Sequence, residues 1–156
     1  MMEKRNYQDL CDALEHCKVD SEEEFEIYKE MVVICEDNIK DFRDDLEDDG
    51  TRGFMNLEID YCAAPMDNLS RFYMERGEYA KALHLLEQVL PMYRILEIYD
   101  HNYTYQRCYA LKAMAECLDK LGQENMAILC KYELKHIQLE VLEPREKKHR
   151  GQVLDV

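Results

Sequence analysis

The stretch DLEDDGTRGFMN, residues 45 to 56, sets Asp45, Glu47 and Asp49 at alternate positions ahead of Gly50, the order in which a calcium loop presents its oxygen ligands. The pattern fails where such a loop is most demanding. Asn56 stands at the position of the bidentate glutamate, and Arg52 at one that wants an aliphatic residue. The stretch therefore reads as the acidic end of a helix followed by a glycine stop. Glu133 and His136 form a Glu-x-x-His step of the kind used twice in di-iron bundles, but the chain holds no second copy, so a polar helix face is the simpler reading. The histidines at 16, 84, 101, 136 and 149 show no metalloprotease spacing, no serine sits in a Gly-x-Ser-x-Gly elbow, and there is no glycine-rich phosphate loop. No catalytic residue, cofactor or metal site is expected, and the chain reads as a non-enzyme.

Seven cysteines, at 11, 17, 35, 62, 108, 117 and 130, include no Cys-x-x-Cys pair, and most fall in apolar helical patterns. That is thiol usage for a reducing compartment, with the cysteines acting as small buried hydrophobes. A zinc site from Cys11, His16 and Cys17 would lack a second ligand pair. Of the eleven tyrosines, Tyr93, Tyr99, Tyr103, Tyr105 and Tyr109 crowd around one turn, either as the edge of a core or as a binding surface.

Charge bounds the partners. The formal net charge is −14, and residues 1–50 carry 18 acidic against 6 basic side chains. Such a balance repels phosphate backbones, leaving Arg145, Lys147, Lys148 and Arg150 as a short basic exception. No stretch is long and apolar enough for a membrane span, and the N-terminus lacks the apolar segment of a secretory signal. A cytoplasmic protein is expected, with neither nucleic acid nor membrane as partner.

With five glycines and three prolines in 156 residues, turns must be few and elements long. A first helix is expected from Asn6 to about Cys17. Ser21 and Glu24 make a capping box for a second, whose stripe Tyr28, Val32, Cys35, Ile39, Phe42 and Leu46 recurs at spacings of four and three. Gly50 is expected to cap it. A third helix spans Phe54 to Arg76 and is kinked or restarted at Pro65. Gly77 ends it, and a fourth runs from Tyr79 to about Tyr99, burying Ala82, Leu83, Leu86, Val89, Leu90, Tyr93 and Leu96, with Pro91 as a kink or new turn. A fifth covers Tyr103 to Leu121 and, past Gly122, a sixth covers Glu124 to about Leu142. The charged segment 145–156 reads as a flexible tail.

Helix, glycine turn, helix thus occurs twice. LSRFYMERGEYAKAL at 69–83 overlays MAECLDKLGQENMAI at 114–128, pairing Leu69 with Met114, Tyr73 with Leu118, Gly77 with Gly122 and Ala82 with Ala127. The first unit, through Leu69, Ser70, Tyr73, Gly77, Tyr79 and Ala82, resembles a tetratricopeptide repeat. It departs from that motif at Met66, Val89 and Pro91, and its 45-residue spacing exceeds the family's period of about 34, implying longer helices. In the second unit Glu124 and Lys131 replace aromatics. The resemblance implies an all-α fold of about six helices, antiparallel helix-turn-helix units stacked as a short solenoid over 1–144. Units at 54–99 and 103–142 would follow acidic capping helices in 1–50.

The resemblance also implies a concave groove lined by the first helix of each unit. Matched positions are Asp67, Asn68, Arg71 and Met74 from one unit and Tyr109, Lys112, Glu116 and Asp119 from the next. This set lacks the lysine and asparagine clamp that holds a C-terminal carboxylate in some family members. The expected function is a protein- or peptide-binding adaptor or scaffold. Alternatives are a regulatory protein whose acidic N-terminal half covers a basic partner surface, and a homo-oligomerisation unit. A homodimer through the second helix is expected if the array alone lacks core.

Overall fold

In the computed structural model of the protein, the structure describes residues 4–49 and 52–154, with side chains over 4–40, at 59 and over 61–150. The elements are α1 (Tyr7–His16), α2 (Glu22–Asp49), α3 (Arg52–Glu75), α4 (Tyr79–Tyr99), α5 (Tyr103–Lys120), α6 (Glu124–Ile137), a π-helical turn (Gln138–Leu142) and α7 (Glu143–Leu154). There is no strand among the described residues. Each helix packs on its neighbour in the chain, α1 on α2 through to α5 on α6. The short links between them make successive helices antiparallel, so α1–α2, α3–α4 and α5–α6 form three stacked pairs.

The start signals divide differently from the sequence expectation. A reciprocal capping box stands at α1, where the Asp9 amide donates to Asn6 Oδ1 at 2.8 Å and the Asn6 amide to Asp9 Oδ2 at 3.3 Å. At α2 Ser21 supplies only its half. Its hydroxyl accepts from the Glu24 amide at 3.1 Å, while its own amide donates to the Lys18 carbonyl at 3.3 Å. Glu22, Glu23 and Glu24 still fill a first turn where the helix dipole favours anions. The expected cap at Gly50 lies outside the described residues.

Both glycine turns adopt one geometry. Gly77 has φ +73° and Gly122 φ +77°. The Gly77 amide donates to the Met74 carbonyl at 3.0 Å and the Glu78 amide to Tyr73 at 2.8 Å; Gly122 and Gln123 repeat this onto Asp119 and Leu118 at 3.1 and 2.8 Å. These are paired Schellman closures, which satisfy carbonyls that a helix end leaves open. A Cβ would meet no atom within 4 Å at either glycine. Glycine is there for its left-handed backbone, worth about 1–2 kcal/mol over another L-residue, and not for space.

One core runs from α2 to the π-helical turn. Its middle is α4, which buries Ala82, Leu83, Leu85, Leu86, Val89, Leu90, Met92, Tyr93 and Leu96. That set includes every expected residue. Leu85 and Met92 are added because α4 is covered by α3 on one side and α5 on the other. Ala82 and Ala127, the paired small residues, are both fully buried and permit close helix approach. Helices α3 and α4 run unbroken through Pro65 and Pro91, so neither proline restarts a helix.

Helix α2 also has two faces. Val32 and Cys35 enter the main core, with Tyr28 and Ile39 half-buried beside it, whereas Ile27 and Met31 form a separate cluster with Leu10 of α1. Phe42 and Leu46 of the expected stripe lie outside the described side chains. The α2–α3 seam is aromatic: Phe25 sits 5.5 Å from Phe72 and 5.6 Å from Tyr73, centroid to centroid, and the Arg76 guanidinium lies 3.8 Å above Phe25 while pairing with Glu22. Tyr7 of α1 donates to the Tyr61 carbonyl on α3 at 2.7 Å. The acidic N-terminal pair is thereby joined to the first repeat.

The segment from 145, expected as a flexible tail, carries helical backbone. Residues 143–154 form α7, continuous with α6 through the widened turn in which the Glu143 amide donates to the Gln138 carbonyl. A proline inside an α-helix clashes with the carbonyl four residues back, and Pro144 follows directly on a turn whose bonds have slipped to five residues.

Candidate binding groove

Helices α3 and α5, the first of each repeat, border a hollow of about 270 Å³ lined by Asp67, Arg71, Tyr109, Lys112, Ala113 and Glu116. Five of the eight expected groove residues therefore meet in one place. The other three turn elsewhere. Asn68 donates to Tyr28 Oη on α2 at 3.2 Å, Met74 packs half-buried against the core, and Asp119 pairs with Lys131 of α6 at 2.8 Å.

Within the hollow, Asp67 is floor. It is buried, and Tyr93 of α4 donates to its Oδ2 at 2.7 Å, with Arg71 Nη2 3.6 Å from the same oxygen. Burial, with the Asp67 charge next, raises the Tyr93 phenol well above its ordinary value, so it remains a donor. The carboxylate is thus occupied from beneath, while Arg71, Tyr109, Lys112 and Glu116 are exposed at the rim. Cations, an anion and a flat aromatic face stand together, a set that can hold a polar backbone and shelter an apolar side chain.

The hollow does not end at α5. Tyr109 and Lys112 also line a second one of about 370 Å³, whose far wall includes Leu142, Glu143 and Glu146. Glu146 continues into a third, of about 500 Å³, with Tyr105, Arg145, His149 and Arg150. The charge density of the segment hides these α7 residues in the sequence; the available signal is Pro144, which suits the first turn of a helix. Arg145 holds α7 in place, donating to Thr104 Oγ1 at 3.0 Å and to the His101 carbonyl at 3.2 Å. Thr104, fully buried, donates to Glu97 at 2.6 Å, and Glu97 also accepts from Arg107 at 3.3 Å.

The tyrosines at the inter-unit turn divide. Tyr93 is core, with half-buried Tyr103 stacked 6.1 Å away, whereas Tyr99, Tyr105 and Tyr109 are exposed.

The remaining chemistry disperses. Glu133 accepts from Arg94 of α4 at 2.8 Å and His136 is exposed. Among the described residues, no three His, Cys, Asp or Glu side chains converge on a possible metal position. The side chains of the stretch 45–56 lie outside the described residues; its backbone is helix through Asp49 and again from Arg52. No disulfide joins the seven cysteines. Burial is the first cause raising the thiol pKa of Cys11, Cys17, Cys108, Cys117 and Cys130, the reverse of what a nucleophile needs. No helix among the described residues is long and apolar enough to cross a membrane.

No curated protein and no solved structure matches the chain. Residues 63–102, spanning the second half of α3, the Gly77 turn and α4, match the family model described as tetratricopeptide repeat. With the same closure recurring at Gly122 and every helix stacked on its chain neighbours, this chain is a tetratricopeptide-like helical repeat.

Proposed function

We propose that the chain is a non-enzymatic protein- or peptide-binding module, acting as an adaptor in the cytoplasm through the groove between α3 and α5. The observation that supports this reading most is the hollow in which Arg71 and Lys112 flank the exposed ring of Tyr109. A partner's apolar side chain would rest on that ring. Arg71 and Lys112 would hold its carbonyl or carboxylate oxygens, and Glu116 would accept from its amides. The buried Tyr93–Asp67 bond keeps the floor rigid, so little ordering cost falls on the protein when a peptide binds.

Selection from a library of displayed peptides tests this. Peptides captured by the parent chain are expected to lose at least about tenfold in affinity with Arg71→Glu/Lys112→Glu, a loss of about 1.4 kcal/mol or more. Helicity should be unchanged, since both side chains are exposed. Peptides held equally well by the variant would refute the groove as the binding site.

A further inference from the structure

We infer that the outward face of α6 is the surface through which two copies of this chain pair about a two-fold axis. Helix α6 is the last of the stacked pairs. Ala127, Cys130 and Ile137 turn into the core, and the opposite side carries Ile128, Leu129 and Tyr132, with Leu129 63% and Tyr132 76% exposed. Leu139, exposed in the π-helical turn that continues the helix, extends the apolar surface beyond its C-terminal end. Terminal units of a solenoid need a polar outer face to stand alone in water, and this one exposes Ile128, Leu129 and Tyr132 with only Asn125 and His136 as polar residues among them. The other end of the stack is different: α1 exposes Asp9, Asp12 and Glu15, and α2 exposes Glu22, Glu23 and Glu26. Head-to-tail stacking would bury the stripe against carboxylates. Only pairing of like ends covers apolar surface with apolar surface, and it closes as a dimer.

Charge selects a second copy as the occupant. In a chain of net charge −14, α6 is balanced, with Glu124 and Glu133 against Lys131 and Lys135. Two acidic molecules meet there with least repulsion. Lys131 and Glu133 are already paired within the chain, to Asp119 and Arg94. Glu124 and Lys135 are exposed and have no ion-pair partner among the described residues. Eleven residues apart, they lie on the same flank of the stripe, close to three full turns of helix. An antiparallel partner related by a two-fold axis between Leu129 and Cys130 sets each Glu124 opposite the other copy's Lys135. The same axis sets Leu129 beside its counterpart near the centre of the seam. Charged residues flanking an apolar seam are what fixes orientation between paired helices.

The test is mass in solution by light scattering and sedimentation, at micromolar concentrations of the full chain. The parent protein is expected at twice 18.7 kDa. Leu129→Glu/Tyr132→Glu should run at 18.7 kDa with its helicity intact, since both positions are exposed. Lys135→Glu should weaken the dimer at least tenfold, and Lys135→Glu/Glu124→Lys should restore it. A parent protein that stays monomeric, including one that forms only complexes with other proteins, overturns the inference. So does a dimer indifferent to Leu129→Glu/Tyr132→Glu, or a charge exchange that fails to rescue. None of the substituted residues lines the α3–α5 groove, so this result and the peptide result are independent.

Discussion

Cys117 lies on α5 with no solvent exposure, and burial, with the Glu116 charge adding to it, pushes its thiol from 9.0 up to about 11. The native chain therefore keeps a proton that the unfolded chain begins to release at pH 9. The stabilisation is fully present below that pH and is lost as pH rises toward 11, with a slope of about 1.4 kcal/mol per pH unit from this group alone. Tyr93 and Tyr7, raised by burial above the ordinary tyrosine value, act in the same direction, but only from about pH 10. Urea midpoints measured between pH 9 and 10 should fall steeply for the parent and more gently for Cys117→Ala; equal slopes would show that this thiol is not held protonated. Its burial was legible from an apolar helical pattern. So was the convergence of Arg71, Tyr109, Lys112 and Glu116 on one hollow, because positions along the first helix of a repeat can be counted. The Asp67–Tyr93 bond was not legible, since its partners stand 26 residues apart on different helices.

At the scale of elements, stripes and glycine turns placed most of the helices to within a residue or two, since a 3.6-residue period and a left-handed closure are local properties. Two features were hidden for a common reason: their cause lies in another part of the chain. Ile27 and Met31 face α1, a second apolar side that a search for one stripe on α2 passes over. Helix α7 is dense in charge and opens with a proline, so its own residues argue for a tail; what docks it is Arg145 reaching Thr104 and His101, 41 and 44 residues earlier. Arg145→Ala should release that docking. The net worth of such charged hydrogen bonds is about 1.5–3 kcal/mol, so amide exchange over 146–150 should accelerate at least tenfold. Exchange in α3 and α4 should not change. Unaltered exchange in α7 would mean that it is held by some other contact.

Across the whole molecule, packing among the described residues is mainly between chain neighbours, which makes stability close to a sum of adjacent interfaces, and the interfaces are unequal. The α1–α2 interface rests on a small cluster of Leu10, Ile27 and Met31, whereas α4 is enclosed by α3 and α5 over most of its length. Leu10 and Leu86 are both fully buried leucines, so truncation removes the same side-chain atoms from each. Buried leucine-to-alanine changes cost about 2–5 kcal/mol wherever they act. Their consequences should nevertheless differ in reach. Leu86→Ala lies between both repeats and should lower the global unfolding midpoint. Leu10→Ala should open α1 locally, raising exchange over residues 7–16 while leaving the global transition nearly in place, because the opposite face of α2 keeps Phe25, Val32 and Cys35 in the main core. Hydrogen exchange and urea unfolding on the two variants separate these outcomes. Equal shifts in the global midpoint would show that the acidic N-terminal pair folds as one cooperative unit with the repeats.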